Sequence, residues 1–351
     1  MIPVPEMNSQ KQQILDVGKT LGLKMLHFSS VKLDNQYDHG FRQWIEKGYH
    51  AEMDYLARRL QENDIIDNRL PGARTVIVTA LNYYRPDTAA IISNQRSGLI
   101  SRYAVIRDYH KVFGQKLKKM ASFMETELQG QARYYVDTGP LMEKAYAESC
   151  GMGVIGKNSL LITPQYGSWV FLGVIVTDLE LEAESQTLSL RCGSCRRCMT
   201  ACPTNAIVSE GVIDSSRCFS YLTIEHKGPI PIQLREAMGE MIFGCDICQE
   251  VCPHNSRAKM CSERDFKKER FTGRRYPLEK ILHIQTDREF TLLFQGTPMM
   301  RAKRRGLQRN ACIAAGNSGD SSLVPVLEKF SASTSDEMLK EHAGWAIQRL
   351  K

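Results

Sequence analysis

No run of 18 apolar residues occurs in this chain, so nothing in it reads as a membrane span. Its beginning, Met1 to Leu15, mixes Glu6, Asn8 and several glutamines and has no apolar stretch leading to a cleavage site, so no secretory signal is expected. Neither a Walker A motif nor a dinucleotide fingerprint is found, because the glycine-rich stretch near residue 155 lacks the Gly-Lys-Ser/Thr order and follows no clean strand. Disorder is excluded as well, since 42% of the residues are hydrophobic. A chain of 351 residues is too long for a bare electron carrier and implies two or three domains.

What is present is cysteine. Nine of the eleven lie from Cys192 to Cys261. Cys192, Cys195, Cys198 and Cys202 form a run closed by Pro203; Cys218, Cys245, Cys248 and Cys252 follow, closed by Pro253. Three thiolates from one tight loop can cap three irons of a cubane, and the fourth, followed by proline, points to the other cluster. On that rule Cys192, Cys195, Cys198 and Cys252 hold one [4Fe–4S] cluster, and Cys202, Cys218, Cys245 and Cys248 hold a second. Cys218 is the least secure ligand because of its long gap to Cys245, and Cys261 is its substitute. Two zinc ions are the competing reading; the repeated Cys-Pro and the small or apolar Ala201, Thr204, Ala206 and Ile207 favour iron–sulfur. Metal-ligand spacing in a chain of this size argues against a disulfide framework and for a reducing cytoplasm. The formal charge of +7 falls when two clusters contribute about −4, so the distribution of charge is a better guide than its sum.

Periodicity predicts a mixed α+β domain over residues 1–182. Helices are expected over 10–23, 41–60, 110–128 and 140–149, and strands over 24–31, 75–81, 133–137 and 168–178. A polar linker, Glu180–Ser189, leads to a ferredoxin-like two-cluster domain over 183–260. Residues 261–351 read as an all-α segment like a truncated helical repeat, with Gly316-Asn317 capping one helix. Cys312 and Cys150 read as buried apolar residues. Two basic tracts stand out: Lys267, Lys268, Arg270, Arg274 and Arg275, then Arg301, Lys303, Arg304, Arg305 and Arg309. Each is either a solvated face or a phosphate-binding surface.

The segment from Gly153 through Gly156, Lys157, Asn158 and Ser159 is either a cradle for a cofactor tail or a plain tight turn. Asp137, at the end of a predicted strand, either caps the helix opened by Pro140 or delivers a proton. These stretches, with Arg102-Tyr103-Ala104, Arg107-Asp108-Tyr109-His110, Asp137 to Lys144, both cysteine runs and Arg304 to Ala311, occur in an order that resembles the epoxyqueuosine reductases along nearly the whole chain.

That resemblance implies a nitroreductase-like domain binding cobalamin, with relatives among the reductive dehalogenases, and HEAT-like helices that help hold tRNA. It implies reduction of epoxyqueuosine to queuosine at the wobble position of tRNAs with a G-U-N anticodon. Reduced flavodoxin or ferredoxin would supply the electrons. It gives Asp137 the role of proton donor and puts Arg102, Tyr103, Tyr109, Gly153, Gly156, Lys157, Asn158 and Ser159 around the cofactor. It also places the cluster of Cys202, Cys218, Cys245 and Cys248 nearer the cobalt, and both basic tracts against RNA. A monomer in the cytoplasm is expected. A reductase of small molecules, like a dehalogenase, is the alternative; the basic helices and the missing export signal stand against it.

Overall fold

Strand Thr75–Asn82 is buried at every position, as its continuous Thr-Val-Ile-Val-Thr-Ala-Leu-Asn run requires. The computed structural model describes residues 4–61, 65–87, 96–185, 188–267, 271 and 273–351. This strand pairs antiparallel with Met25–Ser30 on one side and with Val170–Thr177 on the other, with Ile77 opposite Phe28 and Ile175. Ala132–Tyr135 pairs with the far edge of Val170–Thr177 and completes a four-stranded sheet.

Helix Tyr109–Thr126 covers one face with Val112, Phe113, Leu117, Met120 and Met124, which recur at helical spacing. Asp108 caps it by accepting the N–H of His110 at 3.1 Å. Gly173 lets the helix approach: a Cβ there would stand 2.8 Å from Leu117 and 2.9 Å from Phe113. On the opposite face Tyr146, Ala147 and Cys150, from helix Glu143–Ser149 and its C-cap, pack with Val76, Val78, Val174 and Val176.

A second sheet draws one short strand from each expected domain, so the stretch over 261–351 is not all-α as expected. Ser97–Ile100 is central, Met241–Phe243 runs parallel to it and Arg275–Pro277 antiparallel. The backbones close tightly, since a Cβ on Gly98 would stand 2.4 Å from Ile242. One apolar core therefore runs from Ile14 through Phe171 and Phe243 to Cys312 and Ala346, across the boundaries at 182 and 260. Among the described residues no helix is long and apolar enough to cross a membrane.

Three local expectations change. The helix over 41–60 is two, Asn35–Glu46 and Asp54–Arg58, because Gly48 at φ 69° and Ala51 at φ 52° take left-handed backbone between them. The helix after Asp137 begins at Glu143, not Pro140. Gly316 does not cap: it lies inside helix Lys303–Asn317, where an added Cβ would stand 2.8 Å from Trp345 and 2.9 Å from Ala346 of helix Glu337–Leu350. It is a point of close helix packing.

Candidate active site

All eleven cysteines are free thiols. Their mutual electrostatics sort eight of them. Burial raises the Cys198 thiol, and Cys192 and Cys252 raise it further. Cys252 is raised by burial and then by Cys192 and Cys195. In the other set, burial pushes Cys245 up to about 12, with Cys218 and Cys202 adding to it. Cys248 is raised by burial and by Cys245, Cys218 and Cys198, so the quartets meet near Cys198 and Cys248. Cys218 stands beside Cys202. Cys261 lies elsewhere, its N–H donating to the Tyr84 carbonyl and its sulfur acting on Tyr166.

Backbone N–H groups point at the sulfurs. Ala206 N donates to Cys202 Sγ at 3.3 Å, and the amides of Tyr221 and Ser220 favour the Cys218 thiolate. Such donors stabilise cluster-bound thiolates, so the donor set fits a cubane's chemistry. Among the described residues, no three His, Cys, Asp or Glu side chains close on a position for a single metal ion.

Asp137 follows strand Ala132–Tyr135 on a turn with φ 58°, and its side chain is 66% exposed. The helix Glu143–Ser149 is N-capped at Met142 without a side-chain bond, so Asp137 is free of the capping role. Tyr109 Oη donates to Asp137 Oδ2 at 2.5 Å, and its ring stacks on Phe171 at 3.9 Å between centroids. Burial and then the Asp137 charge hold the Tyr109 phenol far above its usual range, so it remains a donor. His110 Nε2 lies 3.8 Å from Asp137 Oδ2, while its Nδ1 lies 2.9 Å from Asp108 Oδ1. Tyr103 is half-buried, packs against Phe243 and Tyr109, and feels both Asp137 and Asp246, the residue next to Cys245.

Three neighbours of Asp137 are not assigned to its site by the sequence, which places Arg301 only on the RNA-binding tract. Burial raises the Glu143 carboxyl to about 7, Asp137 adds to the rise, and its Oε1 is buried without a partner. Tyr55 and Arg301 also feel Asp137. Glu143 is signalled only by its place in the Asp137-to-Lys144 stretch; Tyr55 and Arg301 arrive by tertiary folding.

The loop over 153–159 bridges the thiols and this site. Lys157 Nζ donates to the Gly193 carbonyl at 2.7 Å and pairs with Glu210 at 2.7 Å. Asn158 Nδ2 reaches the Cys248 carbonyl at 3.4 Å, and Ser159 O accepts from Lys144 Nζ at 2.7 Å. Gly153 and Gly156 serve the hairpin of Val154–Ile155 and Leu161–Ile162: added Cβ atoms would stand 2.5 Å from the Ile162 carbonyl oxygen and 2.6 Å from its side chain. The tight-turn reading accounts for both glycines.

Arg102 makes no hydrogen bond or ion pair with Asp137 among the described residues. It forks onto Asp87 at 2.8 and 3.0 Å, lies over Trp169, and lines a cavity of about 1010 Å³ bounded also by Cys252. Asp137, Tyr103 and Tyr109 do not line that cavity.

With this geometry in view, residues 191–255 match a family described as a 4Fe-4S double cluster binding domain, and residues 65–138 match epoxyqueuosine reductase QueG. The epoxyqueuosine reductase of Pseudomonas aeruginosa is 37% identical over 347 residues, covering 96% of this chain and 94% of the relative. The chain belongs to the epoxyqueuosine reductase family. It is therefore an oxidoreductase with a 4Fe–4S binding region, and its fold combines the family's α+β N-terminal domain with a helical C-terminal region. A solved epoxyqueuosine reductase holding an epoxyqueuosine-modified tRNA-Tyr stem loop matches with TM-score 0.83 at 27% identity, over 98% of this chain and 99% of that one. The Bacillus subtilis epoxyqueuosine reductase, with its catalytic aspartate loop swung out of the active site, matches with TM-score 0.81 at 25% identity, over 98% and 100%.

The basic residues expected on RNA in this family member divide. Lys268, Arg270 and the side chain of Lys267 lie outside the described residues. Arg309 is 0% exposed and donates to the carbonyls of Leu222, His226 and Gly228, so it ties the helix to the cysteine module and cannot meet phosphate. Arg274 is 8% exposed and bonds Asp246 at 2.9 Å and Glu250 at 2.8 Å, which removes it likewise. Arg275 is part-buried on Glu240. Arg301, Lys303 and Arg305 are exposed and Arg304 is part-exposed. Arg301 pairs with Glu225, Arg304 with Asp287 and Arg305 with Asp336. Lys227 joins them, its ammonium disfavoured by burial and, among the nearby charges, by Arg301 and Lys303.

Proposed function

We propose that this chain reduces epoxyqueuosine to queuosine in tRNA with Asp137 as the proton donor, cobalamin as the resident cofactor, and two [4Fe–4S] clusters on the thiol quartets delivering electrons. The observation that carries the reading is Asp137 itself: an exposed carboxylate held by the Tyr109 hydroxyl, backed by His110, with the Tyr109 ring meeting Tyr103, which packs on Phe243 two residues before Cys245.

Converting the epoxide to an alkene breaks both C–O bonds, forms C=C, and releases the oxygen as water. The balance is two electrons and two protons. Cobalamin, when bound, would supply a low-valent cobalt nucleophile for an epoxide carbon. Tyr103, Tyr109, Asn158 and Ser159 are the residues that would hold it, between Asp137 and the buried quartet. Glu143 fits such a neighbour, because its buried Oε1 lacks the donor that an amide-rimmed ring could provide.

Asp137 gives its proton to the epoxide oxygen as the first C–O bond opens. Tyr109 fixes the carboxyl while the charge on it changes. His110, partly exposed, returns a proton from solvent. Glu143, poised to ionise near pH 7, stores the second. We take the quartet of Cys202, Cys218, Cys245 and Cys248 as the inner one, because Phe243, two residues before Cys245, packs on Tyr103, and Tyr103 meets the ring of Tyr109, which bonds Asp137.

The N-terminal sheet and its helices make a nitroreductase-like cobalamin domain over 1–182. Residues 183–260 make the ferredoxin-like module, and 261–351 the HEAT-like helices. Arg301, Lys303, Arg304 and Arg305 form the edge along which a G-U-N anticodon loop lies, with Arg301 close enough to feel Asp137. Anticodon loops are already partly unstacked, which lowers the cost of bringing the wobble base to the cofactor. The tRNA stem loop held by a 27%-identical relative supports this reading. The swung-out aspartate loop of the Bacillus subtilis enzyme supports a turn at Asp137 that moves between open and closed positions.

Asp137→Asn tests it. Turnover of an epoxyqueuosine stem loop should fall about 10²- to 10⁴-fold while iron content, cobalamin binding and stem-loop affinity hold. Turnover within twofold of the parent would remove Asp137 from the acid role.

A further inference from the structure

The large cavity does not belong to the chemistry around Asp137. Its wall is Cys252 with Pro253, its flank is the helix Arg197–Ala201 that carries Cys198, and its floor is the stacked pair Tyr84 and Trp169, 5.7 Å apart at 25°. Asp87 and Glu250 line it too, but both are paired: Asp87 with Arg102 at 2.8 Å, Glu250 with Arg274 at 2.8 Å. Arg196 and Arg197 also line it. They are exposed and form no ion pair among the described residues. Exposed Arg257 follows the lining residue Ser256, and the Arg191 carbonyl lies 3.1 Å from His254 Nε2, beside Pro253. Arg196 and Arg197 thus line the cavity without a carboxylate partner among the described residues, and Arg257 follows its wall, whereas the Arg191 guanidinium donates to the Leu188 and Leu190 carbonyls. Even against about −2 for a bound cubane, the face is cationic.

We infer that this cavity and its arginine rim are the docking face for a small acidic electron-transfer protein that carries its redox group at its surface. The proposal deepens the functional reading above and rests on its placement of a cluster on Cys192, Cys195, Cys198 and Cys252. Charge complementarity selects the partner: electron-transfer encounters are small and transient, and opposite charge sets their on-rate. The geometry adds direction. The outer quartet borders the cavity through Cys252, and the inner one leads from Cys245 by neighbouring Phe243 and Tyr103 to Tyr109, which bonds Asp137. At each encounter the partner's redox group loses one electron and the outer cluster gains it. No bond is made or broken.

The test uses the full-length reconstituted protein and reduced flavodoxin as the probe. Cluster bleaching is followed by anaerobic stopped flow at two salt concentrations, with dithionite as the second reductant. Arg196→Glu with Arg197→Glu should slow bleaching by flavodoxin at least about tenfold at low salt and flatten its salt dependence. Dithionite rates, iron content and stem-loop affinity should stay within twofold. Arg257→Glu, which does not flank a cluster-ligand cysteine directly, should act in the same direction by about threefold. Unchanged flavodoxin rates in both variants overturn the proposal. So does loss of stem-loop affinity without loss of flavodoxin rate, which would make the patch an RNA surface. Wild-type protein that takes up no iron overturns the cluster reading and this proposal with it; normal iron with an indifferent flavodoxin rate overturns the docking face alone.

Discussion

The inner and outer quartets share a ligand chemistry and differ in surroundings. Cys218 and Cys245 pack against Phe219, Leu222 and Met241, and burial raises Cys245 to about 12. Cys252 borders an open cavity rimmed by arginine. Low-dielectric packing around a cluster excludes water and fixes its path to the reacting centre, whereas a charged rim lets electrons in from a partner. In the proposed electron path, one motif repeated twice serves two stages because the folds around its halves differ.

The sharpest way to break that comparison is to remove one thiol from each quartet. Cys248→Ser should abolish turnover, beyond about 100-fold, with every reductant. Cys198→Ser should abolish turnover driven by a protein donor but retain a measurable rate with a small chemical reductant that can reach the inner quartet. Equal losses with both reductants would erase the distinction between outer and inner.

A second contrast sets surface arginines against buried ones on a single helix. Arg304→Glu with Arg305→Glu should weaken stem-loop binding and lower the salt slope by about two charges. Arg309→Ala should leave that slope alone and destabilise the fold by about 3 kcal/mol, because three backbone carbonyls lose their donor. Thermal melts and filter binding at several salt concentrations separate the two. An Arg309 variant with normal stability and a reduced slope would contradict the burial argument.

The smallest effect concerns Glu143. Its folded carboxyl titrates near 7, above the ordinary 4.5, so ionisation is disfavoured in the folded state. Its contribution to stability is complete below about pH 4.5 and is lost as pH rises through about 7. Glu143→Gln lacks this loss. The difference in melting temperature, variant minus parent, should grow from pH 5 to pH 8; a difference independent of pH would remove the shifted carboxyl.

The contrasts also mark how far the sequence could be read. The division of eight thiols into two quartets rests on local spacing, which is why the proposed clusters could be assigned from the chain alone. The strands Thr75–Asn82 and Val170–Thr177 and the helix Tyr109–Thr126 were legible because long apolar runs and helical periodicity are local signals. The second sheet was not: Ser97–Ile100, Met241–Phe243 and Arg275–Pro277 span three or four residues each, and only tertiary pairing makes them strands. Arg309 and Arg304 look alike in a basic tract, and their fates are set by which face of the helix meets the cysteine module. The family resemblance singled out Asp137 as the acid proposed above, but its partner Tyr109 lies 28 residues earlier and meets it only because strand and helix share one end of the sheet.

Metal analysis of anaerobically reconstituted protein, with its optical spectrum, tests the central claim most directly. About eight iron atoms and one cobalt per chain, with charge-transfer absorption that bleaches on reduction, are the expected result. Zinc in place of iron, or a protein that binds no corrinoid, would contradict it.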